Sequence, residues 1–211
     1  MPDNASGPAP AVRRQRRGLR RMEEILDAAE AVIAEVGYEE AGTNAIAARA
    51  GVSPGSLYQF FRNKGEILDA LMPRYIEQSR TFWAEQLGPE AARLPMAEVV
   101  DRTLRAAIAL KDARPAFWVL SHGSATSPRL AAASAELRAE TAARLAAVLA
   151  ARAPHVPAAD LDVAAHIALA AARAVLPMTL GADAGRRDAV IAGLRAMLTG
   201  YLESATAGRD E

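Results

Sequence analysis

The side chains of this sequence that are able to do chemistry are few, and their types point to recognition and not to turnover. There is no cysteine, which removes disulfides, thiolate nucleophiles and Cys-zinc sites. His122, His155 and His166 do not fall at metal-ligand spacing. Ser121-His122-Gly123-Ser124 is not a nucleophile elbow, and no glycine-rich phosphate loop is present. No enzyme, metal or cofactor is therefore expected. What remains is concentrated between Thr43 and Lys64, in TNAIAARAGVSPGSLYQFFRNK. Asn44 and Gln59 carry amides that can pair with adenine N6 and N7, about 1–3 kcal/mol of discrimination per good pair. Thr43, Ser53, Ser56 and Tyr58 carry hydroxyls suited to phosphate oxygens. Ser53 to Phe61 contains no charge at all. A slim, polar, uncharged helix front of that kind suits a groove.

Two short helices and a tight turn must position these groups. Thr43 is expected to cap the first helix with its hydroxyl, Asn44 to Ala50 to form it, and Gly51 to end it in a left-handed conformation. Val52 plugs the space between the helices. Ser53 caps the second helix and Pro54 fills its first position, where a missing N–H costs nothing. Ile46, Ala47 and Ala50 give one inner face, Leu57 and Phe61 the other. Upstream, Met22, Ile25, Leu26, Ala29, Val32, Ile33 and Val36 recur at helical spacing and predict a helix from about Arg20 to Val36, ended by Gly37. Glu23, Glu24, Asp27 and Glu30 read as its solvated face. Downstream, Asn63 with Glu66 three residues on predicts a capped helix, interrupted by Pro73.

With those residues in view, the stretch from Gly37-Tyr38 through Thr43, Ala47, Ala50-Gly51-Val52-Ser53, Gly55-Ser56-Leu57-Tyr58 and Phe61 to Asn63-Lys64 resembles the DNA-binding domain of TetR-family transcriptional regulators. The match covers roughly the first third of the chain after the leader. The resemblance implies that Asn44, Pro54, Gly55, Tyr58 and Gln59 approach base edges. It implies that Thr43, Ser53, Ser56, Tyr58 and Lys64 hold the phosphate backbone. Phe60 departs from the pattern, because the family often has a hydrogen-bond donor there. Arg62 is the first arginine of the recognition helix, so guanine reading from its front is expected to be weak, and part of the specificity to come from DNA shape and the arginines of the leader.

The expected organisation is all-α, with about nine helices: a disordered basic arm over 1–18, a three-helix helix-turn-helix domain over 19–65, and a larger helical ligand-binding and dimerisation domain over 66–211. The arm carries Arg13, Arg14, Arg16 and Arg17, followed by Arg20 and Arg21. It reads either as a solvated tail or as an arm meeting phosphates or the minor groove. Net charge is zero, so any pull toward DNA must come from such local asymmetry. Helices are predicted over about 96–111, 114–123, 127–151, 158–176 and 186–204. The segment from Ala158 is small and apolar on nearly every side, so a second copy is expected to cover it. The resemblance implies the same, a homodimer through the last two helices on a palindromic duplex, its operator. It further implies an unidentified small-molecule ligand in the large domain that releases DNA from a repressor. Trp83, Phe117, Trp118, His122, His166, Arg173 and Met178 are the candidate lining residues. Arg173 would pair with Asp160 or Asp162 across the dimer, or meet an anionic ligand. No signal peptide or convincing membrane span is read, and a cytoplasmic setting is expected. The competing reading is a helical ligand-binding or scaffolding bundle with vestigial DNA binding.

Overall fold

The computed structural model describes residues 10–113, 115–116, 128–179 and 181–208. Among these, every regular element is helical, in keeping with the all-α expectation. The chain divides into two compact units, Met1–Leu71 and Met72–Glu211. The division falls within a helix and not at its start, where residues 65 and 66 were expected to part.

In the first unit, α1 (Pro10–Glu40) begins well before the expected Arg20, so residues 10–18 are helical where a disordered arm was anticipated. Proline is well suited to a first helical position, and the Ala, Arg, Gln and Leu that follow are helix formers. Gly18 alone, at about 1 kcal/mol, does not break the run. Ile25, Leu26, Ala29, Val32 and Ile33 are buried as their spacing predicts. Val36 is not: it is 51% exposed, at the last position before Gly37 breaks the helix with φ 81 and ψ 166. Then come α2 (Thr43–Arg49), α3 (Pro54–Tyr58) and α4 (Lys64–Gln86), the last running through Pro73. Ile46, Ala47, Leu57, Phe61, Ile67, Leu68 and Leu71 complete this unit's core.

The second unit contains the rest of α4, a 3-10 turn at Pro89–Arg93, α5 (Met96–Ala113), α6 (Pro128–Arg152), α7 (Ala158–Val175), a 3-10 turn at Leu176–Thr179, and α8 (Ala184–Ala207). Apart from Pro115 and Ala116, the helix expected over 114–123 lies outside the described residues. The core joins Val99, Val100 and Leu104 of α5, Leu145 and Leu149 of α6, Leu161, Ala165 and Ala168 of α7, and Leu194, Leu198 and Leu202 of α8. Arg80 of α4 clasps Glu140 of α6 at 2.6 and 2.9 Å and reaches Glu136 at 3.2 Å. That hydrogen bond holds the Glu140 carboxyl below its ordinary range. Arg195 of α8 meets Asp101 of α5 at 2.6 Å.

α7 buries Leu161, Ala164, Ala165 and Ala168 and leaves the opposite side bare. Val163 is 55% and Ile167 48% exposed, and on α8 Met197 is 48% exposed. The stretch Ala158–Thr179 is long and apolar enough, by length and composition, to cross a membrane, although no such span was read from the sequence. Only 28% of its apolar window is buried, and the buried side packs most extensively on α6.

Candidate nucleic-acid interface

The turn between α2 and α3 is built as its residue types require. Gly51 has φ 64, a left-handed conformation that no Cβ would occupy cheaply. It lets Val52 N–H reach the Ala47 carbonyl at 3.0 Å and reverse the chain. Ser53 then caps α3: its Oγ accepts the Ser56 N–H at 3.1 Å and donates to Ser56 Oγ at 3.1 Å. Pro54 occupies the first turn. Leu57, fully buried, points inward, which turns Gly55, Tyr58 and Gln59 to solvent. Backbone bonds from Phe60 and Phe61 to the Leu57 carbonyl at 2.9 and 3.0 Å extend the turn past Tyr58.

One capping expectation is corrected. Gly42, not Thr43, is the N-cap of α2, and no side chain caps this end. Thr43 is the first helical residue, and its hydroxyl lies 3.1 Å from the Tyr58 hydroxyl. This pair ties the start of α2 to the front of α3. Whichever oxygen donates, the other retains a hydrogen for a third partner. Tyr58 is thus held in place while still 49% exposed. Asn44 and Gln59 are exposed, and Phe60 is half-buried.

Three further contacts brace the motif. Arg49 of α2 forks onto Glu35 of α1 at 2.9 and 2.6 Å, and that hydrogen bond keeps the Glu35 carboxyl below its ordinary range. Asn63 Oδ1 accepts the Glu66 N–H at 3.0 Å, while the Glu66 carboxylate accepts the Arg62 N–H at 2.8 Å. This is the expected reciprocal cap, displaced by one residue. The Lys64 ammonium donates to the carbonyls of Tyr38 and Glu39 at 2.7 and 2.8 Å and sits 4.4 Å from the Tyr38 ring centroid. Burial, then the carboxylates of Glu39 and Asp69, push the Tyr38 phenol above its usual value. None of these long-range partners was named from the sequence. Of the leader arginines, Arg16 and Arg17 are exposed on α1, while Arg20 and Arg21 each pair with Glu24 at 3.1 Å.

The candidate ligand residues do not converge in the same way. Phe117, Trp118 and His122 lie outside the described residues. Trp83 packs on the large core and meets Phe82 edge-to-face, with centroids 4.9 Å apart. His166 is exposed on the bare side of α7, its Nδ1 2.9 Å from the Asp162 carbonyl, and Met178 is 50% exposed. Arg173 is half-buried, and desolvation, then the nearby Arg138 charge, lower its pKa. Among the described residues no group of His, Asp and Glu could hold a metal ion.

A capped short helix with an uncharged front, packed across a glycine turn on α2, which itself packs on α1, has the geometry of a helix-turn-helix that reads a duplex groove. The profile of bacterial regulatory proteins of the tetR family matches residues 25–71. The profile of tetracyclin repressor-like C-terminal domains matches residues 95–202, just over half of the chain. The fatty acid metabolism regulator protein of Bacillus subtilis (strain 168) is 44% identical over 59 residues, 26% of this chain and 30% of that protein. The A-factor receptor protein of Streptomyces griseus is 36% identical over 98 residues, 46% of this chain and 33% of that protein. The chain thus spans about a third of the length of these curated relatives. A TetR-family regulator from Streptomyces coelicolor superposes with a TM-score of 0.58 at 26% identity, covering 88% of this chain and 99% of that one. The chain belongs to the TetR family of bacterial regulatory proteins.

Proposed function

We propose that this protein is a sequence-specific DNA-binding transcriptional regulator, a homodimer that represses by occupying a palindromic operator and leaves it when a small molecule binds the second unit. The observation that carries the reading is the front of α3: Gly55, Tyr58 and Gln59 exposed, uncharged and braced by the Thr43–Tyr58 hydroxyl pair. Asn44, Pro54, Gly55, Tyr58 and Gln59 approach base edges, while Thr43, Ser53, Ser56 and Tyr58 hold phosphates. Lys64 stands apart, its ammonium being engaged inside the unit. Arg16 and Arg17 add phosphate contacts. As a helix about 10–12 Å across, that part of α1 does not fit a minor groove about 6 Å wide.

Two copies are needed because five helical residues offer little surface. The exposed apolar faces of α7 and α8, with Val163, Ile167 and Met197, pack against their equivalents in a second copy. The dimer then presents two α3 fronts to half-sites roughly 34–36 Å apart. Such DNA contact places the protein in the cytoplasm. Release requires a ligand that binds the DNA-incompetent arrangement better than the other. Trp83, Arg173 and the stretch containing Phe117, Trp118 and His122 are the first residues to probe for that ligand. Enrichment from fragmented genomic DNA tests the proposal. A recurrent palindrome whose affinity falls on replacing Tyr58 and Gln59 by alanine is the expected result. No enrichment, or unchanged affinity, refutes it.

A further inference from the structure

The chain leaves α1 after Glu39 and Glu40, makes the α2–turn–α3 excursion, and returns at Lys64 as α4 begins. The two ends of that excursion are joined by one side chain. Lys64 Nζ donates to the carbonyls of Tyr38 and Glu39, 26 and 25 residues away, and lies over the Tyr38 ring. These carbonyls follow Gly37, whose φ of 81 breaks α1. Two of the three ammonium hydrogens are thus given to backbone inside the unit. We propose that Lys64 is a positioning residue, a clasp that closes the base of the helix-turn-helix, and not one of its phosphate ligands. The clasp removes the freedom with which the two ends of the excursion would separate, so α2 and α3 meet DNA already packed on each other.

This inference rests on the DNA-binding reading only for its second readout. Lys64→Met keeps the aliphatic stem and removes the donors and charge. Without DNA, the amides of Ile46, Val52, Leu57 and Phe61, all in backbone bonds of the motif, should exchange on the order of tenfold faster or more. Tyr38→Leu, which leaves Lys64 and both carbonyls in place, should raise the same rates about two- to fivefold. It serves as the second variant if the first fails to fold. On a duplex enriched by the wild-type protein, Lys64→Met should weaken binding with no change in the slope of log K against log salt. A lost phosphate contact would instead reduce that slope by about 0.9 per protomer, and such a fall overturns the proposal. Unchanged exchange in both variants overturns it as well. If no duplex is enriched while exchange accelerates, the clasp stands and the DNA-binding reading falls alone.

Discussion

One methyl group, added at either of two glycines six positions or fewer from Leu57, should have opposite effects. Gly51 has φ 64, and a Cβ built there meets nothing within 4 Å. The cost of Gly51→Ala is therefore backbone strain alone, about 1–2 kcal/mol for a left-handed residue with a Cβ. Gly55 lies within α3, and its added Cβ would meet only Ser53 Oγ, at 3.9 Å, an ordinary contact. With negative φ and open space, Gly55→Ala should stabilise the free protein by about 0.5–1 kcal/mol. The same methyl then stands on the exposed front of α3. Packed against a groove with no room for it, it should cost about 1–3 kcal/mol, roughly 5- to 150-fold in affinity. Urea unfolding of the free variants and fluorescence anisotropy on an enriched duplex give both quantities. Gly51→Ala should lower stability, and its affinity loss should follow the folded fraction. Gly55→Ala should raise stability and still bind worse. If Gly55→Ala bound DNA as tightly as wild type, the front of α3 would not be the surface in the groove.

Three other outcomes follow from named contacts. A double-mutant cycle of Thr43→Val and Tyr58→Phe should give a coupling of about 0.5–1 kcal/mol in duplex affinity, since the pair holds one phosphate-facing arrangement; additive effects would deny that it acts as a unit. Val163→Glu with Ile167→Glu should weaken self-association at least about a hundredfold in sedimentation, because two carboxylates would be buried unpaired where α7 meets a second copy. The Arg80 hydrogen bond lowers the folded pKa of Glu140, so the stability it contributes is present above the unfolded value of about 4.3 and lost as pH falls through the lower folded value. Unfolding free energies of wild type and Glu140→Gln should therefore differ near pH 7 and converge as pH falls below the lowered folded pKa of Glu140, and a constant gap would remove Glu140 as the titrating group.

Much of the motif was legible because it is local. The left-handed Gly51, the Ser53 cap, Pro54 at the first helical position and the buried pair Leu57 and Phe61 all follow from geometry within four residues. The Asn63–Glu66 cap is of the same kind, and its one-residue displacement is a detail of the turn before it. The Thr43 cap misled for a local reason too: Gly42 takes the extended capping conformation, which shifts Thr43 into the helix. The early start of α1 went unread because a leader rich in Gly, Pro and Ser runs without a sharp signal into residues that favour a helix.

What the sequence by itself determined is most of the described helices, the turn that joins α2 to α3 and the uncharged front of α3. Each depends on spacings of one to four residues, which the periodicity of the backbone converts directly into faces and caps. Tertiary structure decided the partners: Tyr58 for Thr43, Glu35 for Arg49, the Tyr38 and Glu39 carbonyls for Lys64, and Glu140 for Arg80. It also decided that His166 faces outward with Val163 and Ile167. Such pairings join residues 14 to 60 positions apart, and the chain holds no record of them in its spacing. They exist only once packing has brought one helix against another.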